Sequence, residues 1–266
     1  MKNEPSLPAE RRAFGFAVHP GSLEDYLELA RQAIASGERR TVLYHNLHSL
    51  YLWYRSAELR RRYKGATVLV DGMPVVGLLR LAGVPATRED RVTWVDLIVP
   101  LLTLARDSGW RVFHLGQSAE VQRRAFERLR AEVPGLQIAG RDGYFDQSPD
   151  SPESLAAIEA IEAHGTDLLL VGFGTPLQEA WLDAHRERIA APAAFACGAC
   201  MEYVAGEVRT PPRWLGPLGL EWTWRLLENP ARFGFRYLVE PALLTLMIGR
   251  RALADAWARR RARSAP

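Results

Sequence analysis

The 266-residue sequence predicts an α/β protein: a Rossmann-like, mainly parallel sheet flanked by helices, followed by a C-terminal helical appendage. Three observations predict it. Short runs rich in Val, Leu, Ile and Ala alternate with helical stretches from Phe14 to Cys197, the rhythm of βαβ units. Several runs end on a turn-forming glycine, at Asp71-Gly72, Gly116 and Gly172. Past Gly206 the alternation stops, and Trp214, Trp222 and Trp224 are interleaved with Arg209, Arg213, Arg225, Arg232 and Arg236. The expected organisation is a flexible N-terminus over 1–13, an α/β core over 14–205 and a Trp/Arg-rich appendage over 206–266.

The elements follow in order. Phe14–Val18 reads as a strand, and Leu23–Ser36 as a helix capped by Ser22. Thr41–Tyr44 is a strand, Leu47–Tyr63 a helix and Thr67–Val70 a strand. Pro74–Ala82 and Asp96–Ser108 read as helices, Arg111–Leu115 as a strand, Ala119–Glu132 as a helix and Leu136–Ala139 as a strand. Ser151–Ala163 is a helix with Ser151 as cap and Pro152 at its first position. Asp167–Val171 is a strand, Pro176–Ile189 a helix and Ala193–Cys197 a short buried strand.

The formal charge of +3 hides an asymmetry. From Arg209 onward there are eleven arginines and four acids, or +7, which leaves −4 for the remainder. Such a tail suits an anionic membrane, an acidic ligand or nucleic acid. Arginine forks bind phosphate, and tryptophan favours the boundary between apolar material and water. The apolar run Pro241–Gly249 is too short to span a bilayer, which takes about 20 residues. It is expected to lie in the interface plane, with the following arginines on headgroups; the alternative is an ordinary packed C-terminal helix. With two cysteines and no leader-like opening, the expected compartment is the cytoplasm.

In an open parallel sheet a ligand sits beyond the carboxyl ends of the strands. That rule selects His45-Asn46, Asp71-Gly72, Gly116-Gln117, Asp142-Gly143-Tyr144 and Gly172–Gln178. Asp71, at the end of a buried strand, suits a general base, a hydroxyl anchor or a plain Asp-Gly turn. In Gly172-Phe173-Gly174-Thr175-Pro176, the glycines allow close approach to a ligand. The helix beginning at Pro176 is expected to offer free N–H groups, and Gln178 in its first turn to face the same mouth. The sequence has no Gly-x-Gly-x-x-Gly fingerprint, Walker loop or Gly-x-Ser-x-Gly elbow. Cys197 and Cys200 lack two further zinc ligands nearby and read as small buried thiols. No Asp-x-Asp pair is present to hold a metal.

These pieces resemble the WecG/TagA/CpsF glycosyltransferases (glycosyltransferase family 26). The resemblance runs from Phe14 to Tyr237. It is carried by Asn46, Val70-Asp71-Gly72-Met73, Arg80, Arg91-Val92, Val112–Gly116, Gly143-Tyr144-Phe145, Gly172–Glu179, Ala205-Gly206, Leu220-Glu221-Trp222, Arg225-Leu226, Pro230, Arg232 and Arg236-Tyr237. It implies an inverting, metal-independent enzyme without a cofactor. Such an enzyme moves a hexose or N-acetylhexosamine from a UDP-sugar to a polyprenyl-diphosphate-linked saccharide at the inner face of the plasma membrane. It further implies Asp71 as base, and Asn46, Arg91 and Gln178 at the donor, beside Gly116, Gly172 and Gly174 at the strand ends. Arg225, Arg232 and Arg236, with Arg209, would meet the lipid diphosphate or the membrane. The family's usual Thr two before the Asn is Tyr44 here. Trp94 is a second bulky neighbour, and the two either stack on a sugar or base or narrow the pocket. A non-catalytic nucleotide-sugar-binding partner is the alternative. Nucleic acid is not expected as a partner, and a homo-oligomer is compatible with the Trp-rich surface.

Overall fold

The computed structural model describes residues 8–212 and 214–264. Six strands form one parallel sheet in the order β4-β3-β8-β7-β5-β6: β3 Arg40–His45, β4 Thr67–Val70, β5 Arg111–Gly116, β6 Gln137–Arg141, β7 Leu168–Gly172 and β8 Ala193–Ala196. Every residue of β7 (LLLVG) and β8 (AAFA) is buried, as expected of central strands covered on both faces. A small antiparallel hairpin, β1 Arg11–Ala13 with β2 Phe16–Val18, stands apart from this sheet. Residues 11–13, expected to belong to a flexible N-terminus, are thus paired, and the turn at Phe14-Gly15 interrupts the strand expected to begin at Phe14. Residues 1–7 lie outside the described residues.

Helices cover both faces: α1 Leu23–Ser36, α2 Leu47–Arg55, α3 Ala57–Arg62, α4 Met73–Leu81, α5 Trp94–Asp107, α6 Ala119–Glu132, α7 Pro152–His164 and α8 Leu177–His185. Their starts are set by local chemistry. Ser22 and Asp25 form a reciprocal capping box, and Gly37 closes α1 in the left-handed conformation. Ser118 caps α6, and Ser151 caps α7 with Pro152 following. The long helix expected over Leu47–Tyr63 is broken at Ser56. Its extended backbone ends α2, and its Oγ accepts from Leu59 N at 3.0 Å to start α3. The core gathers Phe16, Tyr26, Leu97, Leu101, Trp181 and Phe195, all fully buried. Cys197 and Cys200 are free, buried thiols, as read from the sequence.

A short helix not expected from the sequence, α9 Cys200–Ala205, leads to the appendage. There α10 Leu215–Leu218, α11 Glu221–Glu228 and α12 Pro230–Gly234 precede the long α13 Glu240–Ser264. The apolar run expected to lie in a membrane interface is divided. Leu244 and Ile248 are buried in the core cluster, whereas Leu246 is 65% exposed. His48 Nδ1 meets Glu240 Oε2 at 2.7 Å and ties the start of α2 to the start of α13. Among the described residues no helix is long and apolar enough to cross a membrane.

Candidate active site

Parallel pairing brings the carboxyl ends of all six strands to one edge, and the candidate residues collect there. Asp71 follows β4, with its backbone N–H bonded to His45 O at 2.9 Å. Gly72, at φ +99°, then turns the chain into α4, a conformation suited to glycine. Asn46 begins α2. Its Oδ1 accepts from Ser49 N at 3.0 Å, and its Nδ2 donates to Asp71 Oδ2 at 3.1 Å. One amide therefore caps a helix and orients the carboxylate. Burial raises the Asp71 pKa above the ordinary carboxylate value, while the Asn46 bond and the fields of Arg225, Arg236 and Arg91 oppose that rise.

Two cavities are lined by this carboxylate, and a third adjoins one of them. The largest, about 1130 Å³, opens over the ends of β5, β7 and β8 and is lined by Gln117, Tyr144, Gly172, Phe173, Gly174 and Gly198. A central one of about 200 Å³ lies between core and appendage, with Tyr44, Asp71, Trp94, Thr175, Arg225 and Arg236 on its walls. It shares Gly174, Gly198, Ala199 and Glu202 with the large cavity. A third, of about 310 Å³, lies under the appendage between Asp71, Met73, Trp222, Arg225, Arg236 and Tyr237. Asn46, His48, Asp71, Arg225 and Arg236 line both it and the central cavity. The result is one trough with the carboxylate near its middle. Among the described residues no group of three His, Cys, Asp or Glu is gathered as a metal site.

The predicted site residues are not all placed as expected. Gly172 and Gly174 line the large cavity. Gly116 supports it from behind: at φ +155° a Cβ there would lie 2.7 Å from the Gly172 carbonyl carbon and oxygen. Gln178 does not face the mouth. It is fully buried, with Nε2 reaching Tyr44 OH at 3.2 Å and Glu179 Oε1 at 3.1 Å, and with Oε1 accepting from Gly198 N at 3.0 Å. An amide surrounded by so many partners satisfies its hydrogen-bonding capacity inward. The free amides expected at the start of α8 are also engaged, since Leu177 N and Gln178 N both donate to Gly174 O. Arg91 turns toward Asp96 at 3.4 Å and Glu221 at 3.8 Å, joining the loop after α4 to the appendage rather than lining the trough.

Of the four appendage arginines, Arg225 and Arg236 stand on the same cavity walls as Asp71. Arg225 lies 5.2 Å over the Tyr203 ring. Arg209 lines an opening that shares Gln117, Tyr144 and Glu202 with the large cavity but does not include Asp71. Arg213 and the side chain of Arg232 lie outside the described residues. Three further residues belong to the trough. Gln117, at φ +53°, donates to Gly172 O at 2.6 Å and Gly198 O at 2.9 Å, so it clamps the β5, β7 and β8 ends together. His48 lines both cavities beside Asp71, and burial together with Arg236 lowers its pKa despite Glu240. Glu202 lines the large and central cavities from α9. Gln117 follows a strand end and His48 stands just past the His45-Asn46 strand end, so their positions carried that signal; Glu202 has no comparable mark.

A doubly covered parallel sheet, a trough across its carboxyl edge and a basic helical appendage define a doubly wound α/β protein with its cleft at the strand ends. Residues 11–258 match the model of the glycosyl transferase WecG/TagA/CpsF family, and the chain belongs to that family. It is a glycosyltransferase. Among its relatives is a Bacillus spizizenii (strain W23) protein, 31% identical over 68% of this chain and 67% of its own length. A Bacillus subtilis (strain 168) protein is 28% identical over 68% of each chain. One from Staphylococcus aureus (strain MRSA252) is 26% identical over 69% of this chain and 70% of its own. All three carry the name N-acetylglucosaminyldiphosphoundecaprenol N-acetyl-beta-D-mannosaminyltransferase.

Proposed function

We propose that this chain transfers a hexosyl group from a UDP-sugar to a saccharide carried on a polyprenyl diphosphate, with inversion at the anomeric carbon. The observation that carries the reading is the position of Asp71. It lines both the central cavity, which adjoins the large strand-end cavity at Gly174, Gly198, Ala199 and Glu202, and the smaller one under the appendage, and Arg225 and Arg236 stand on the walls of both. The nucleoside diphosphate occupies the large cavity, with the base against Tyr144, which is 81% exposed at its rim. The lipid diphosphate enters from the appendage side, where two guanidinium groups answer its charge.

In this reading Asp71 removes the proton from the acceptor hydroxyl. The oxygen attacks the anomeric carbon, the C–O bond to the diphosphate breaks, and UDP leaves with the electron pair. A carboxylate whose pKa is raised by burial is a stronger base than a solvated one. Asn46 holds it in register. Arg225 and Arg236, on the walls beside Asp71, are the source of positive potential in this reading, and it invokes no metal or cofactor.

Peripheral attachment to the inner face of the plasma membrane completes the proposal. Trp214, Leu218, Leu227, Phe235 and Leu238 each expose more than half of their surface on the appendage, an apolar display beside arginines. The test uses purified full-length chain, a panel of UDP-sugars and a polyprenyl diphosphate-linked saccharide acceptor. UDP release that depends on the acceptor, with a product heavier by one hexosyl residue, is the expected result. Absence of acceptor-dependent turnover with every donor, alongside intact folding, would overturn it.

A further inference from the structure

The central cavity separates the large strand-end cavity from the acceptor side, so the donor's sugar ring must occupy it for its anomeric carbon to approach Asp71. This step rests on the transferase reading above. The space is narrow beside its neighbour: about 200 Å³, against about 1130 Å³ for the large cavity. Two large side chains set its size. Tyr44, at the end of β3, reaches across so far that a Cβ on Gly198 would lie 2.6 Å from its hydroxyl. Trp94, the first residue of α5, is packed edge-on against Phe195.

Neither side chain has room to withdraw. Tyr44 and Trp94 are each only 8% exposed. The Tyr44 hydroxyl is held by Gln178 Nε2 at 3.2 Å, and Gln178 is itself fixed to Gly198 N. That network explains why Gln178 turns inward: its amide is spent on the Tyr44 hydroxyl and Gly198 N, and the Tyr44 ring stands on the cavity wall. Burial, reinforced by Glu179, raises the Tyr44 pKa and keeps the phenol protonated. Trp94 adds a buried indole N–H that has no hydrogen-bond partner in the protein. The walls are thus bulky and bear hydrogen-bonding groups, which suits a compact hydroxylated ring. An acetamido substituent would bring an extra carbonyl and methyl into a close-packed space.

We propose that Tyr44, with Trp94, is a specificity-determining residue that restricts the donor to hexoses bearing a hydroxyl, rather than an acetamido group, beside the anomeric carbon. In this the chain differs from the relatives named as N-acetylmannosaminyltransferases.

The experiment compares kcat/KM for UDP release from UDP-glucose, UDP-galactose, UDP-N-acetylglucosamine and UDP-N-acetylmannosamine, using wild-type protein, Tyr44→Phe and Tyr44→Thr. Thr keeps a hydroxyl and strand propensity while removing the ring. Wild type is expected to favour a hydroxyl donor over its best acetamido counterpart by at least about tenfold. Tyr44→Thr is expected to shrink that ratio about tenfold or more, with Tyr44→Phe staying closer to wild type. A merely structural role would lower all donors together and leave the ratio intact, which would overturn the assignment. Equal or better use of an acetamido donor by wild-type protein would also overturn it. Should no donor be turned over, the transferase reading falls. The same ratio, read as Kd by calorimetry with these UDP-sugars, then decides the selectivity at the same thresholds.

Discussion

Replacing Asp71 by Asn changes one atom's charge and almost nothing else. The amide retains the size of the carboxylate, and its oxygen can still accept from Asn46 Nδ2, now 3.1 Å from Oδ2. What disappears is a base that burial has made stronger than a solvated carboxylate. General-base catalysis contributes about 10²–10⁴-fold, or roughly 3–5 kcal/mol of barrier. Acceptor-dependent UDP release is therefore expected to fall by that factor, while UDP binding by calorimetry stays within about twofold, since the large cavity is untouched. The pH dependence gives a second readout. The base works when ionised, so wild-type kcat/KM rises with pH through the folded-state pKa, which lies above the usual carboxylate value, and then levels. That rise should be absent in Asp71→Asn.

Stability moves the opposite way from activity. A raised pKa means the folded chain holds this proton more tightly than the unfolded chain does. The Asp71 contribution therefore weakens as pH climbs from the unfolded to the folded pKa, and remains unfavourable at neutral pH. The uncharged Asp71→Asn variant should melt at or above the wild-type temperature at pH 7. A variant that melts lower at pH 7, or one that keeps full turnover, would refute the placement of Asp71 as a buried, poised base.

Four further outcomes follow from the same geometry. Arg225→Ala and Arg236→Ala should each lower kcat/KM for the lipid-linked acceptor by about 10–100-fold through loss of a charge-assisted contact of about 1.5–3 kcal/mol. Arg209→Ala, whose opening adjoins the large cavity but not Asp71, should cost less than either in the same steady-state assay. Gly116→Ala should destabilise the fold by more than about 2 kcal/mol by chemical denaturation, because its Cβ would collide with Gly172 backbone from a positive-φ position. Gln178→Ala should lower stability by about 1–3 kcal/mol by leaving Gly198 N–H and its other partners unsatisfied, with thermal melting as the check.

The order of strands and helices was legible in the sequence because it depends on short-range chemistry. Hydrophobic periodicity, the caps at Ser22, Ser118 and Ser151, and the glycines that end strands all act within a few residues. The candidate carboxylate was legible for a related reason: a parallel sheet carries the residue after each buried strand to one edge, and Asp71 follows such a strand. Where each polar side chain points was not written locally. Gln178 turns inward because Tyr44 and Gly198, distant in sequence, meet it across the sheet. Asn46 becomes the partner of Asp71 through the pairing of β3 with β4. Arg225 and Arg236 come to the carboxylate while Arg209 and Arg91 do not, because the fold of the appendage onto the core decides which arginines share its cavity. Periodicity assigns a residue to a helix or a strand, but the contacts that choose among its possible partners exist only once distant segments have packed.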